Sequence, residues 1–477
     1  MDIQLLGGKD EIGGNKILLE HKGTRIFLDF GTSFKTYGTY FSGFSGIRKF
    51  SALTDAFEIG LLPRLDGVYR QDFEQNEGIE SKPTSIDAVF LTHAHSDHVG
   101  SLPFLRPEIP IYSTLETRLI LQALDETGAT SIDNYTTFFP AFTFYQTREG
   151  KQSRADRRKK ELIRERPFKI MAPKERVKIG ALEIEMHPVD HSLPGACGYI
   201  VYSDEGNLVC TGDLRLHGSD KALTERFIEA AAQAKPKWLL CEGTRVMDTK
   251  GNSEADVYGQ AGELVRSCDG LVITEYPARD LDRVKTFYEI AKNNGRHFVI
   301  NTKLAYLLDL FEKNGVKHIT PKDSNVRVLL PRQSWGLIGR QGLQDYQVEQ
   351  DYETWERPYL SHPNAVTPAQ ITKDQKQYVL SSSLWAIANL LDIRPIQGSA
   401  WIKSTCEPFS DDMELDEQMK ANWLRHFGVR LSSIHASGHA GRNDLQRIMT
   451  TIAPQILVPM HTEHPDELRN LLAGTTP

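Results

Sequence analysis

Along the first half of the chain, short apolar runs alternate with Gly, Asp and His: KILLEH, TRIFLDFG, DAVFLTHAH, PIYST, LEIEMHPVDHS, GYIVYS, NLVCTGD and KWLLCEG. Apolar runs of this length between turn-forming residues predict strands. Several end in a side chain that can bind a metal, which is how a sheet presents chemistry at one rim. Between Leu102 and Gly128, the segments SLPFL and TLETRLILQALDETG have helical spacing. Strands alternating with helices predict a layered α/β fold.

From about Thr244 the texture changes. GLVITEY, ARDLDRVKTFYEIAKNNG, RHFVINT and KLAYLLDLFEKNG read strand, helix, strand, helix, the pattern of a small parallel Rossmann-like unit. No G-x-G-x-x-G accompanies it, so no dinucleotide is implied. Strand-like NVRVLL follows, then a polar stretch with Trp335, Tyr346, Tyr352, Trp355 and Tyr359, then QYVLSSS. After GSAWIKSTCEPFS and a helix through Phe427, strand texture returns in VRLSSIHASGHAG and ILVPMHTEHP, both rich in histidine like the first half. A core domain interrupted by an inserted domain is the expectation, with boundaries 1–243, 244–404 and 405–477.

Length and composition change this picture little. At 477 residues, 40% apolar and 25% charged, the chain is long enough for two or three units with large cores. A net charge of −7 argues against nucleic-acid binding by overall charge, though not by a local strip. One such strip exists: residues 148–169, REGKQSRADRRKKELIRERPFK, hold ten Lys or Arg against four acids. It reads either as a solvated face or as an arm that tracks phosphates. The five cysteines are scattered and form no C-x-x-C pair, which points to a reducing cytoplasm. The N-terminus does not read as a signal peptide, and no apolar run is long enough for a membrane span.

The chemistry concentrates in LTHAHSDHVG, where a strand ends and His93, His95, Asp97 and His98 arrive together. Imidazole and carboxylate suit Zn²⁺ and similar cations. Alternation lets His93 and His95 face one way while Asp97 and His98 reach another, so one motif can serve two ions. Three further residues could join them: His191 in PVDHSLPG, Asp213 in CTGDLRL and His461 in VPMHTEH.

In this order the residues resemble the metallo-β-lactamase superfamily, through H-x-H-x-D-H, then His, then Asp. Asp29 in FLDFG matches its early aspartate, which the resemblance implies supports the histidine loop from behind. Glu242 in LLCEGT, His439 in ASGHAG and His461 in PMHTE resemble the three extra motifs of the β-CASP group, and HASGHA looks ribonuclease J-like. The resemblance covers nearly the whole chain. It implies one zinc on His93, His95, His191 and Asp213, and a second on Asp97, His98, Asp213 and His461, with Mn²⁺ as an alternative ion. It further implies a pocket for a 5′-terminal phosphate from Ser382, Ser383, His435, Ser437, Gly438, His439 and Ala440, although SSSLWAIANLLD departs from the family's Pro- and Gly-containing stretch after the serines. The sequence ends soon after HTEHPDELRNLL, so a further C-terminal domain of many relatives is not expected.

The expected fold is α/β, a metallo-β-lactamase αββα sandwich with an inserted Rossmann-like β-CASP domain. The expected function is a dinuclear zinc ribonuclease acting 5′→3′ on single-stranded RNA ends, with endonucleolytic cleavage as a second mode and 5′-phosphate products. A cation pair favours hydroxide formation and neutralises phosphate oxygens. Asp97, Glu242 and His439 are the expected catalytic side chains, His439 acting on the leaving group and Glu242 orienting it. A DNA nuclease of the same architecture, and a lactonase- or thioesterase-like hydrolase, are the alternatives. The expected partners are RNA, with DNA as an alternative and a homodimer left open, and no membrane.

Overall fold

The computed structural model describes residues 1–41, 45–48, 51–128, 134–140, 144–154, 162–408 and 411–474. It divides into two compact units, 1–216 with 220–250 and 438–477, and 217–219 with 251–437. The centre of the basic strip, including Arg157, Arg158, Lys159 and Lys160, lies outside the described residues.

The first unit holds two six-stranded sheets. One runs β1 (Asp2–Gly7), β2 (Lys16–His21), β3 (Thr24–Phe30), β4 (Ala88–Phe90), β5 (Ile111–Ser113) and β6 (Phe168–Ile170) in spatial order. The other runs β7 (Arg176–Ile179), β8 (Leu182–Pro188), β9 (Cys197–Tyr202), β10 (Leu208–Cys210) and β11 (Trp238–Glu242), and is closed by the last strand of the chain. The period-two positions explain why the sheets stack. Ile17 and Leu19, Ile26 and Leu28, and Ala88 and Phe90 bury against Leu182, Ile184 and Met186, and against Cys197, Tyr199 and Val201. Each fully buried aliphatic or aromatic side chain there contributes on the order of 1.5–3 kcal/mol. The outer face of the second sheet, Ile200, Val209, Leu239 and Cys241, is covered by Phe227 and Ile228, by Leu445, Ile448 and Met449, and by Leu468. These lie on the helices Lys221–Gln233, Arg442–Ile452 and Pro465–Ala473. The helix Leu115–Thr127, capped by the Thr114 hydroxyl, packs beside β6 on the first sheet. The layers are therefore helix, sheet, sheet, helix, as the family resemblance implied.

The second unit is a seven-stranded, all-parallel sheet. In chain order its strands are β12 (Val272–Glu275), β13 (His297–Ile300), β14 (Val326–Leu329), β15 (Ala365–Val366), β16 (Tyr378–Ser382), β17 (Ala400–Lys403) and β18 (Arg430–Ser433). In space they run β15-β14-β13-β16-β12-β17-β18. The helices Glu254–Ser267, Leu281–Asn293 and Thr302–Lys313 are amphipathic, and the first begins with a Ser253–Asp256 capping box. Residues 405–437, placed by the sequence in the last span of the core domain, fall in this unit because β18 pairs with β17. The final strand, β19 (Ile456–Met460), returns to the first unit beside β11.

Candidate metal centre

The candidate ligands arrive at strand ends of the first unit. β4 leads into His93 and His95, and the single helical turn Ser96–Val99 that follows carries Asp97 and His98. β8 leads to His191, β10 to Asp213, and β19 directly to His461, while β11 ends in Glu242. Asp29 and His461 both adopt left-handed backbone conformations, with φ of 57° and 52°. Non-glycine residues enter that region at a cost, and such strain concentrates at functional sites.

Two ligand groups form, the first containing Asp213 and the second approaching its Oδ2 through His98 Nε2 at 3.2 Å and His461 Nε2 at 3.6 Å. His93, His95, His191 and Asp213 offer atoms within 4.8 Å of one another, as do Asp97, His98 and His461. His93 Nε2 lies 2.9 Å from His95 Nδ1, and His191 Nε2 3.2 Å from the same atom. His461 Nε2 is 3.1 Å from Asp97 Oδ2 and 3.6 Å from Asp213 Oδ2. A third group, Asp213, Glu242, His439 and His461, adjoins them, with His439 Nδ1 3.3 Å from Glu242 Oε1.

Two polar atoms at the heart of the cluster are left without a partner. His98 Nε2 lies 3.2 Å from Asp213 Oδ2 but makes no hydrogen bond, and neither does Asp213 Oδ1. Buried groups left this way are costly unless something else is meant to occupy the point they face. The charges agree. Burial, then the neighbouring imidazoles, hold His93 and His191 well below the usual histidine range, so they are neutral as ligands must be. Burial would raise the Asp213 carboxyl, but the imidazoles of His461, His98 and His439 outweigh it and hold it ionised. Asp97 is likewise held ionised against burial, chiefly by His98 and His461. Burial would lower His98 and His439 too, yet carboxylates win at both. His98 is driven well up by Asp213, Asp29 and Asp97, and His439 to about 9 by Glu242 and Asp213. A centre this rich in buried carboxylate, with neutral imidazoles beside it, fits a divalent cation.

A metallo-β-lactamase superfamily model matches residues 65–240, and a model for a Zn-dependent metallo-hydrolase RNA specificity domain matches residues 429–475. The chain carries a metallo-β-lactamase superfamily domain. Curated relatives include the ribonuclease J of Mycobacterium tuberculosis (strain CDC 1551 / Oshkosh), 26% identical over 62% of this chain and 43% of that protein. The ribonuclease J of Mycoplasma genitalium is 22% identical over 97% of this chain and 68% of its own length, and that of Helicobacter pylori (strain J99) 23% over 96% and 55%. The chain thus spans less than half of the M. tuberculosis relative. A crystal structure of a protein of unknown function from Enterococcus faecalis V583 shares the fold, with a TM-score of 0.71 at 24% identity, over 98% of this chain and 95% of that one.

The frame of the metallo-β-lactamase domain holds several of the candidate ligands by their outer side. Asp29 accepts from the Thr92 N–H at 2.7 Å and the Thr92 hydroxyl at 2.8 Å, and lies 2.7 Å from His98 Nδ1. His191 Nδ1 donates to the Gly438 carbonyl at 2.6 Å. The Thr244 hydroxyl sits 2.8 Å from His461 Nδ1 and 3.2 Å from His439 Nδ1. Glu242 is fixed by the Leu214 and Thr244 N–H groups. Arg215 joins the loops of His191 and Asp213, its Nε donating to Asp190 at 3.0 Å and its backbone N–H to the Asp190 carbonyl. Thr92, Thr244, Arg215 and Asp190 went unnoticed in the sequence, where each is one polar residue without a spacing signal. Gly31 was missed too: a Cβ there would meet the Asp97 carbonyl oxygen at 1.7 Å.

The candidate phosphate-binding residues divide between the units. Gly438, His439 and Ala440 belong to the first, where the Ala440 N–H donates to the Leu214 carbonyl and a Cβ at Gly438 would crowd His191 and Ser192. Ser382, Ser383, His435 and Ser437 belong to the second. There Ser382 ends β16 with Ser383 after it, His435 Nδ1 lies 3.0 Å from the Ser404 carbonyl, and the Ser437 carbonyl accepts from His217. Among the described residues no helix is long and apolar enough to cross a membrane.

Proposed function

We propose that the chain is a dinuclear, zinc-dependent ribonuclease. The observation that carries this reading is the pair of ligand groups on either side of Asp213, whose Oδ2 lies 3.2 Å from His98 Nε2 and 3.6 Å from His461 Nε2, with His98 Nε2 and Asp213 Oδ1 left without hydrogen bonds. His93, His95, His191 and Asp213 would hold one cation, and Asp97, His98, His461 and Asp213 the other. Zinc suits this imidazole and carboxylate set, and Mn²⁺ is the alternative. When bound, the cations supply Lewis-acid charge for the phosphate and lower the pKa of water.

The chain's own residues do the rest. Glu242, pinned by two backbone N–H groups, orients His439 through Nδ1, so the proton for the departing 3′-oxygen sits at His439 Nε2. Breaking the bond from phosphorus to the 3′-oxygen leaves the incoming water oxygen on a 5′-phosphate. The printed description of the 429–475 domain and the ribonuclease J relatives support RNA as substrate. The resemblance carried by HASGHA extends the reading to 5′→3′ exonucleolysis with endonucleolytic cleavage as a second mode, a terminal phosphate held by Ser382, Ser383, His435, Ser437, Gly438, His439 and Ala440, and the second unit as the β-CASP domain.

The test is digestion of 5′-labelled RNA carrying a mono- or triphosphate, beside a DNA of the same sequence, by the zinc-loaded chain and by Asp97→Ala and His98→Ala variants. The expected result is RNA shortened from its monophosphate end, with activity lost in both variants. Full activity in either variant would remove the site assignment, and preferential cleavage of DNA would remove the substrate.

A further inference from the structure

The second unit displays two tryptophans that its core does not use. Trp335 is 74% and Trp385 93% exposed. Both lie on segments leaving the carboxyl ends of strands in the all-parallel sheet, Trp335 after β14 and Trp385 after β16. In open parallel sheets ligands bind at that edge, where the strand order reverses. β16 lies at such a point: having run outward through β13, β14 and β15, the chain returns to lay β16 between β13 and β12.

Neither indole hangs on slack chain. The Trp335 and Leu337 N–H groups both donate to the Asp351 carboxylate, at 2.9 and 3.1 Å. Trp385 lies in the 3₁₀ turn Leu384–Asn389, which is anchored by buried Ile387 and by Leu384 against the core. Arg332 ties the two segments together, its Nη1 lying 3.4 Å from Asp392 Oδ1. Its guanidinium also lies against Gly336, next to Trp335, where an added Cβ would come within 2.5 Å of Nε. An exposed pair of this kind is worth only about 0–1 kcal/mol, so a phosphate can replace Asp392 at little cost.

We propose that Trp335 and Trp385, joined through Arg332, form a stacking track for the bases of single-stranded RNA on the carboxyl rim of the second unit. Exposed rings on anchored backbone, with a cation on the same rim, suit sequence-tolerant binding of a single strand, the rings taking bases and the guanidinium a phosphate. The proposal rests on the ribonuclease reading for the identity of the strand.

The test is binding by the full chain, stripped of metal so that nothing is cleaved, to a fluorescent oligouridine of about 16 nucleotides and to a matched abasic ribose-phosphate chain. Trp335→Ala and Trp385→Ala should each weaken oligouridine binding about tenfold, with Phe at either position recovering most of the loss. Neither should alter binding of the abasic chain, whereas Arg332→Gln should weaken both and reduce the salt slope by about one phosphate. Unchanged oligouridine binding by the Trp335→Ala/Trp385→Ala double variant overturns the track. So does a fall in the molecular mass measured by light scattering with RNA binding intact, which would make the tryptophans a contact with a second copy. If the metal-loaded wild type cleaves no RNA, the ribonuclease reading fails while this binding result still stands. Cleavage with binding that ignores the tryptophans removes the track alone.

Discussion

Replacing Asp29 by Asn should weaken metal binding at the candidate centre while leaving the domain folded. The Asp29 carboxylate receives three contacts: the Thr92 N–H reaches Oδ1 at 2.7 Å, and Oδ2 lies 2.8 Å from the Thr92 hydroxyl and 2.7 Å from His98 Nδ1. An asparagine must keep its oxygen toward the Thr92 N–H, which places its NH₂ where Oδ2 was. His98 Nδ1 then meets a donor and must accept, so the ring proton moves to Nε2. That nitrogen, 3.2 Å from Asp213 Oδ2, then carries a proton where a cation needs its lone pair. Binding a cation would require moving the proton back and setting N–H against N–H. The loss of one charge-assisted hydrogen bond is worth about 1.5–3 kcal/mol, and an orienting partner of this kind about 10–100-fold in metal affinity. Competition against a chelator, read by metal content and by thermal shift with and without zinc, should show that weakening, with the melting temperature of the metal-free chain lowered far less than that of the loaded chain. An Asp29→Asn variant that holds zinc within about twofold of wild type would refute the reasoning, since the orienting partner would then contribute far less than expected.

Gly31→Ala should cost about 3 kcal/mol, because a Cβ 1.7 Å from the Asp97 carbonyl oxygen must displace the turn that carries Asp97 and His98; Gly38→Ala, which meets open space, should be neutral or slightly stabilising in the same denaturation assay. In the second unit Glu254→Leu strands the buried Arg283 guanidinium, 2.8 Å from its carboxylate, and should lower stability by about 3–5 kcal/mol in urea. Adding Arg283→Met should recover part of that loss, and a double variant no better than the single one would show that the ion pair is not its source. Burial, opposed by Glu11, lowers Lys16 to about 8 against an ordinary 10.5. Below about pH 8 the charge is kept in both states and stability is flat on this account. Between about 8 and 10.5 the unfolded chain binds the proton the folded one has released, so stability rises with pH by up to about 3 kcal/mol. Lys16→Met should therefore be more stable than wild type near pH 7, with the difference closing by pH 10; a constant difference across that range would exclude the titration.

The candidate ligands were legible in the sequence because they are histidines and aspartates at the ends of apolar runs, and the structure brings them together. What holds them was not. Thr92 precedes the motif as an ordinary strand residue, and Thr244 is as unremarkable beside Glu242. Their roles depend on which imidazole lies against each hydroxyl, a contact that joins Thr244 to His461 across the length of the chain. The strands were legible as apolar runs, and their stacking as two sheets through positions such as Ile17/Leu19 and Ile184/Met186 was expected only from the family resemblance. The fate of residues 405–437 did not, since VRLSS reads as a strand whichever sheet receives it, and only the pairing of β18 with β17 decides.

The centre divides its imidazoles by what engages Nδ1 and by how far each is buried. His93, His98, His191 and His461 each have Nδ1 against a hydroxyl, carboxylate or carbonyl, namely Thr92, Asp29, Gly438 and Thr244. That leaves Nε2 facing the shared interior, and His95 completes the group by turning Nδ1 toward His93 and His191. His439 also has its Nδ1 engaged, 3.3 Å from Glu242 and 3.2 Å from the Thr244 hydroxyl, but its side chain is 19% exposed where those of His93, His98 and His191 are 0%. A ligand needs a lone pair aimed at the ion and a fixed tautomer. A proton donor needs a carboxylate behind it and a nitrogen on the side a substrate can reach. Glu242 at the Nδ1 of a partly exposed His439 meets the second specification, which is why the proposed mechanism gives this histidine the leaving group and the more deeply buried ones the metal.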